Sequence, residues 1–260
     1  MHVLVAVDWH VIWLRIFHPD NAFARAFWAT IYISVVSQAL GVLLGLVAAL
    51  ARMSRIWPLR ALSGVYVWIF RGTPLLVQLF FVYTAVNLPS INLGFFTMPP
   101  EAVTGILALS VNEGAYMREI IRAGIDSVDR GQMEAAKSLG MRYGLAMRRI
   151  VLPQAARVIV PPLGNEFNNM MKTTSLVYTI GAYELFADAE QGYAATFKPE
   201  YFLAVAFWYL MLTTVWTFIQ AAIERRLAVS ERGEELSIRE RLLAAWSPLQ
   251  SRTFRWRDGR

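Results

Sequence analysis

The sequence contains no cysteine and only three histidines. Without thiols the chain can form neither disulfides nor cysteine-ligated metal sites. The histidines are His2, His10 and His18, and no two of them stand four residues apart, the spacing with which a helix presents two histidines to zinc. We therefore expect no metal ion, no cofactor and no histidine-dependent chemistry.

A phosphate-binding loop of the form G-x-x-x-x-G-K-[ST] is also missing, so ATP hydrolysis by this chain is not expected. The net charge is +6 and the isoelectric point about 9.8, but no nucleic-acid-binding module accompanies the basic residues. Their position beside apolar runs favours a membrane protein instead.

Charged residues make up only 17% of the chain, whereas 56% of it is hydrophobic and the mean hydropathy is +0.40. Soluble domains average about 25% charged and about 45–50% apolar residues. A bilayer core needs about 20 apolar residues in a helix. Five segments reach that length and predict an all-α membrane protein with five transmembrane helices: 26–51, 61–86, 102–121, 155–182 and 201–223.

Two of these segments contain interruptions. Arg71, Gly72 and Pro74 divide 61–86, which is either one kinked span or an interfacial piece over 61–70 followed by a shorter span from about Thr73. The pair Pro161-Pro162 is expected to break 155–182.

Lysine and arginine indicate the orientation, because cytoplasmic loops carry an excess of both. They concentrate in 51–60, in 118–157 and after Ile223, whereas 87–100 has none and 184–200 has only Lys198. The N-terminus is therefore expected outside and the C-terminus in the cytoplasm.

Three regions follow from this topology. Residues 1–25 form an N-terminal segment whose apolar residues recur at helical spacing, which predicts an amphipathic helix on the outer interface. Residues 26–223 form the transmembrane domain. Residues 224–260 form a cytoplasmic tail, helical over 234–245 and disordered at its end.

The cytoplasmic segment 126–153 is polar and rich in helix formers. Asp129 with Gln132 resembles a capping box, and Gly140 is suited to ending a helix, so a helix is predicted over 130–139. A second helix is predicted over 142–150, ending before Pro153.

Apolar residues on this segment need a protein partner, namely Leu139, Met141 and Leu145. The small residues Ala135 and Ala136 allow close approach, and Glu134 offers an acceptor to a basic group. Packing on the chain's own bundle is the alternative interpretation.

The same segment reads Glu134-Ala135-Ala136, three residues, Gly140, nine residues, then Ile150-Val151-Leu152-Pro153. This resembles the E-A-A-x3-G-x9-I-x-L-P loop of permeases in binding-protein-dependent ABC importers. The resemblance implies the type I importer permease fold. It also implies that the helix around Glu134 is a coupling helix seated in a separate ATPase.

The stretch from Phe70 to Gln78, F-R-G-T-P-L-L-V-Q, resembles the signature of the polar amino acid uptake permeases. Further matches lie between residues 115 and 176, and the resemblance covers about 26–223. Two departures stand out. Arg118 stands where a small or uncharged residue is expected, and 166–171 is unusually polar.

Ionisable residues within spans are costly to insert and usually face a cavity or a partner. Glu113, next to Asn112, could bind the amino group of a solute. Alternatively, it could form a structural hydrogen bond to a neighbouring helix. Glu166 and Lys172 could contact solute or pair with other spans, although six residues apart they do not face each other on one helix. The remaining candidate is Gln78.

The acidic residues of 184–200 either favour cationic solutes and touch a receptor, or form a solvated loop: Glu184, Asp188, Glu190 and Glu200.

The resemblance implies a non-catalytic permease subunit of an amino acid importer in the bacterial inner membrane. Its partners would be an ABC ATPase, a second permease subunit that is identical or homologous, and an extracytoplasmic solute-binding protein. An importer for an opine or another amino acid derivative is the alternative. A secondary carrier is less favoured, because the spans show no internal repeat.

Overall fold

The computed structural model describes residues 7–94 and 96–228, and within them the chain is almost entirely helical. In chain order the elements are α1 (Trp9–Phe17), α2 (Asn21–Met53), α3 (Trp57–Gly72), α4 (Leu75–Ala85), β1 (Ile91–Asn92), β2 (Thr97–Met98), α5 (Pro100–Asp126), α6 (Arg130–Ser138), α7 (Tyr143–Ala146), a π-helical turn (Met147–Val151), α8 (Leu152–Thr173), a 3₁₀ helix (Thr174–Ile180), α9 (Leu185–Thr196) and α10 (Glu200–Ala228). The two strands pair antiparallel and add a short hairpin to the expected all-α fold.

Helices α2 and α5 form the centre of the molecule, and glycines on α2 let their backbones meet. A Cβ added at Gly45 would lie 2.3 Å from the Cβ of Met117 and 2.9 Å from the backbone nitrogen of Arg118. A Cβ added at Gly41 would lie 2.6 Å from the Cγ of Glu113. Small residues permit such close packing between membrane helices.

Buried apolar side chains form three clusters, two of them along this pair and the third between α2, α9 and α10. Each takes residues from several helices, as the fully or nearly fully buried members show: Ile33, Leu79, Leu109 and Val177; Ala49, Met117 and Ala155; Phe23, Leu185 and Val205.

By length and apolar composition, two helices of the described chain can cross a membrane, α2 and α10. Helices α3 and α4 make a third candidate if they count as one span, although they are bent by 106° at the break between Gly72 and Leu75. The break lies within the predicted interruption at Arg71, Gly72 and Pro74, and it is compatible with both interpretations of 61–86.

The predicted break at Pro161-Pro162 is wrong, because α8 continues through both prolines and changes to a 3₁₀ helix only at Thr174. Side chains of α10 stabilise this part of α8. The Nε2 of Gln220 donates to the carbonyl of Pro161 at 3.2 Å, and the indole of Trp216 donates to the carbonyl of Gly164 at 2.8 Å. These two contacts join α8 to α10 beside the prolines.

The predicted end before Pro153 is also wrong, since the π-helical turn leads directly into α8. The amide of Leu152 donates to the carbonyl of Met147, five residues earlier. This wider turn shifts the hydrogen-bond register and accommodates a proline, which has no N–H to donate.

Residues 184–200 are not a solvated loop, because they contain α9 and three of their four acidic residues are buried. Glu184 is fully buried and accepts from the hydroxyl of Tyr209 at 2.6 Å. Asp188 accepts from the hydroxyl of Tyr183 at 2.9 Å and lies 3.6 Å from Arg15. These carboxylates hold α9 to its neighbours, so they are not available to a receptor.

The N-terminal segment contains the expected helix, α1, whose aromatic side chains Trp9, Trp13 and Phe17 are exposed. At the start of α1, the ammonium of Lys198 donates to the N-cap residue Asp8 at 2.7 Å. At the other end of the chain α10 runs on to Ala228, so the expected helix over 234–245 and the disordered end of the tail lie outside the described residues.

Candidate functional site

A cavity of about 360 Å³ lies among α4, α5 and α8. Four of the five residues predicted for a solute pathway line it: Asn112, Glu113, Glu166 and Lys172. Its other lining residues are Leu75, Leu109, Tyr116, Asn169, Met170 and Thr173. Polar and ionisable groups from two helices therefore converge on a space of the size that small-molecule sites occupy.

Glu113 lies in α5 against α2 and is only 6% exposed. Its Oε1 accepts from the side-chain amide of Gln38 at 3.0 Å. Gly41 makes room for it, since any side chain there would overlap the Glu113 methylenes. The fold thus contains a prepared place for a carboxylate at the edge of the cavity.

Glu166 and Lys172 both lie on α8, where Glu166 is half-buried and Lys172 is exposed. No salt bridge among the described residues includes either of them, or Glu113. The cavity therefore presents two carboxylates and one ammonium group that are not neutralised by ion pairs within the described chain.

Gln78 was predicted to line the pathway, but it does not line the cavity. Its Nε2 donates to the carbonyls of Phe70 and Thr73 at 2.9 and 3.1 Å, and its Oε1 accepts from Asn112 at 2.9 Å. The last carbonyls of a helix lack partners within it. Gln78 supplies a partner at the break after α3.

Sequence reasoning missed Tyr116 and Asn169 as cavity residues. The guanidinium of Arg71 lies 5.0 Å from the centre of the Tyr116 ring, a cation–π contact. Both missed residues belong to stretches already notable in the sequence, the Ala115-Tyr116 match and the unusually polar 166–171. Their polarity beside Glu113 and Glu166 was the available signal.

Helix α6 has the predicted form. Asp129 caps it by accepting from the amide of Gly131 at 2.6 Å, and Gly140 takes a left-handed conformation with φ +78° just after it. That conformation is typical of glycine at a helix end. Among the described hydrogen bonds none joins the Gln132 side chain to Asp129, so the second half of the capping box is absent there.

One face of α6 packs on the chain and the other is open. Ala136 is 1% exposed and Met133 packs against the cluster around Met117, so Ala136 is not free for a partner. Of the other predicted contact residues, Met141 is half-buried and four are exposed: Glu134, Ala135, Leu139 and Gly140. Leu139 is 83% exposed, which is unusual for a leucine beside a packed core.

Residues 41–229 match the family described as the inner membrane component of binding-protein-dependent transport systems. The chain belongs to this family. Its members are transport subunits of the bacterial inner membrane, and the present chain is accordingly a multi-pass membrane protein and the permease subunit of an ABC importer. An ATP-binding subunit and a substrate-binding protein complete such systems.

Two curated relatives of this family are similar over most of their length. The arginine transport system permease protein ArgU of Corynebacterium glutamicum is 41% identical over 235 residues, which cover 87% of this chain and 73% of the relative. The nopaline transport system permease protein NocQ of Agrobacterium fabrum is 39% identical over 200 residues, covering 74% and 85%.

Among solved structures, the crystal structure of an amino acid ABC transporter with histidines matches with a TM-score of 0.70. It is 38% identical, and the match covers 79% of this chain and 94% of that one. The fold is therefore that of a type I ABC importer permease.

Proposed function

We propose that this permease subunit imports amino acids or closely related derivatives, and that the cavity between α5 and α8 lies on the solute's path. The cavity carries the proposal, because it gathers Glu113, Glu166 and Lys172 into one space. An amino acid offers an ammonium and a carboxylate group at fixed separation. Carboxylates and an ammonium on facing helices are the complementary groups.

For the membrane arrangement we propose five spans: α2, the α3–α4 pair, α5, α8 with its 3₁₀ extension, and α10. In this arrangement the N-terminus lies outside and α6 lies in the cytoplasm, as the arginine-rich flanks predict. Helix α1, with Trp9 and Trp13 exposed, lies along the outer interface, where tryptophans are enriched.

Helix α6 is then the contact with the ATP-binding subunit. Its open face combines the exposed carboxylate of Glu134 with Leu139, an apolar side chain that needs a cover in the cytoplasm. A short helix with one packed face and one open face is suited to insertion into a groove of another protein. Closure of the ATPase on ATP would displace α6 and reorient the spans.

The amino acid assignment draws on the relatives as well as on the cavity. One relative is named for arginine, another for nopaline, and a similar solved structure for amino acids. Nopaline transport by a relative keeps an opine or another amino acid derivative as the second candidate solute. We further propose that two permease subunits, identical or homologous, enclose the pathway and that the solute-binding protein docks outside.

The docking of α6 is tested by Glu134→Arg. We expect this change to lower uptake at least about tenfold, because it places a cation where the ATPase offers a basic group. The variant should still insert into the membrane, since Glu134 is exposed and its side chain makes no described contact within the chain.

The control is Glu190→Arg, which makes the same charge change on α9, away from α6; Glu190 is half-buried and has no described ion pair. Co-purification of the ATPase and solute uptake into vesicles are measured for both variants. Normal uptake and normal ATPase binding in Glu134→Arg would remove α6 as the docking helix.

A further inference from the structure

Arg118 is an arginine in the middle of the α2–α3–α5 packing, with 4% of its surface exposed. A buried guanidinium is expensive unless hydrogen bonds and a counter-charge satisfy it. The position is also unusual in sequence, since an uncharged residue was expected there. Its partners therefore explain why the fold tolerates it.

The first partner connects α5 to two other helices. The Nε of Arg118 donates to the hydroxyl oxygen of Ser63 on α3 at 3.2 Å. The hydroxyl of Ser63 donates to the carbonyl of Ala48 on α2 at 2.7 Å. One guanidinium and one hydroxyl thus join α5, α3 and α2 through a continuous hydrogen-bonded path.

The second partner leads along α5 towards α6. Arg118 pairs with Glu119, whose carboxylate also accepts from Arg122 at 3.2 Å. Arg122 in turn lies 2.7 Å from Asp126, the last residue of α5. Only two residues separate Asp126 from Asp129, the cap of α6.

The backbones of α2 and α5 also pack closely beside Arg118. Gly45 of α2 meets Met117 and Arg118 so closely that a methyl group would not fit. In the other direction, Glu113 of the cavity lies five residues before Arg118, about 7.5 Å along the helix axis. Arg118 therefore stands between the cavity and the end of α5 that carries α6.

We propose that Arg118 is a positioning residue that makes α2, α3 and α5 move as one body, so that a displacement of α6 reaches the cavity. This inference rests on the proposed docking of α6 to the ATPase. Without the guanidinium, α5 slides against α3. A displacement of α6, driven by ATP hydrolysis, then no longer moves Glu113. Arg118 is not a solute contact, because it does not line the cavity.

The test uses the complete importer, with its ATPase and solute-binding protein, in proteoliposomes. Solute imported per ATP hydrolysed is measured for Arg118→Gln, Ser63→Ala and the double variant. We expect Arg118→Gln to lower this ratio about tenfold while ATP hydrolysis itself is retained. Ser63→Ala should change the ratio in the same direction. The double variant should have the same ratio as Arg118→Gln, because both substitutions remove the same Arg118–Ser63 hydrogen bond.

Arg52→Gln is the control, since it removes an exposed arginine from the last turn of α2 that has no described ion pair. Its ratio should equal that of the unmodified importer. A purely structural role for Arg118 would reduce uptake and ATP hydrolysis together at a constant ratio, and that result overturns the proposal. If Arg118→Gln fails to assemble, an unchanged ratio in Ser63→Ala overturns it equally.

The docking of α6 is separable from this outcome. A transport-inactive Glu134→Arg together with a normal ratio in Ser63→Ala and Arg118→Gln rejects the positioning role alone. Normal uptake in Glu134→Arg instead rejects the docking on which that role depends.

Discussion

The side-chain amide of Asn112 donates to the amide oxygen of Gln78 at 2.9 Å, which joins the cavity wall of α5 to the first turn of α4. Asn112 also donates to the carbonyl of Phe70 at 3.0 Å, a carbonyl that Gln78 shares. The two amides thus stabilise the chain where it turns by 106° between α3 and α4. Hydrogen bonds from Asn112 of α5 to both sides of the break thus fix its geometry.

Gln78→Met should therefore destabilise the protein by about 1–3 kcal/mol, because it removes the side-chain donor to the carbonyl of Thr73 and the acceptor of one Asn112 N–H. The midpoint of thermal unfolding in detergent measures the change. Gln191→Met on α9, where the glutamine is exposed, should change stability by about 0.5 kcal/mol or less. Equal midpoints for the two variants would contradict the structural role given to Gln78.

Gly45→Ala should separate α2 from α5 and cost about 1–3 kcal/mol, since the new methyl group overlaps Met117 and the backbone of Arg118. Gly64 offers a matched comparison in α3, because a Cβ there meets nothing within 4 Å. Gly64→Ala should be neutral or stabilise the helix by up to about 1 kcal/mol. The same unfolding measurement checks both, and a stable Gly45→Ala would show that the helices are not in backbone contact.

The charges of the cavity predict a preference for cationic solutes. Glu166→Gln should lower uptake of an amino acid with a cationic side chain about tenfold and leave a neutral amino acid within about twofold, because only the former uses a second carboxylate. Lys172→Gln should lower uptake of both, since each carries a carboxylate. Initial uptake rates for labelled arginine and glutamine decide the matter. A uniform loss for both solutes in Glu166→Gln would contradict this division.

The hydrogen bond from Lys198 holds the pKa of Asp8 below its ordinary value of 3.8, and the same bond raises the pKa of Lys198. A carboxyl with a lowered pKa stabilises the folded state above its ordinary pKa, and that contribution disappears as the pH falls through the lowered value. Asp8→Asn should thus loosen α1 at neutral pH while keeping its cap to His10.

Hydrogen exchange of the α1 backbone amides measures this loosening. The difference between Asp8→Asn and the unmodified chain should vanish well below pH 3.8, and Lys198→Met should reproduce the neutral-pH effect. A difference that persists in strong acid would show that the ion pair does not hold α1.

Local features of the chain were readable without the fold. Helix α6 was predicted over 130–139 and occupies Arg130–Ser138, because an aspartate cap and a glycine stop act on the backbone within a few residues of themselves. Glu113, Glu166 and Lys172 stood out individually because charges are rare among apolar residues. Three of the five apolar segments, 26–51, 102–121 and 201–223, coincide within a few residues with α2, α5 and α10.

Other predictions failed where backbone geometry or tertiary contacts decide the outcome. The helix breaks expected at Pro161-Pro162 and before Pro153 are absent: α8 continues through the proline pair, and a π-helical turn leads into α8 ahead of Pro153. The loop expected over 184–200 contains a helix, and three of its four acidic residues are buried. Tyr209 and Arg15 come from distant helices to meet two of them, and Tyr183 comes from just before the segment.

By itself the sequence determined the membrane character of the protein, its main helices and the open helix around Glu134, because hydropathy and capping depend on neighbouring residues. Only the tertiary structure placed Glu113 opposite Glu166 and Lys172, moved Gln78 from the pathway to the α3–α4 break, and gave Arg118 its partner on α3. Those relations join residues tens of positions apart, and the packing of α2, α5 and α8 sets them.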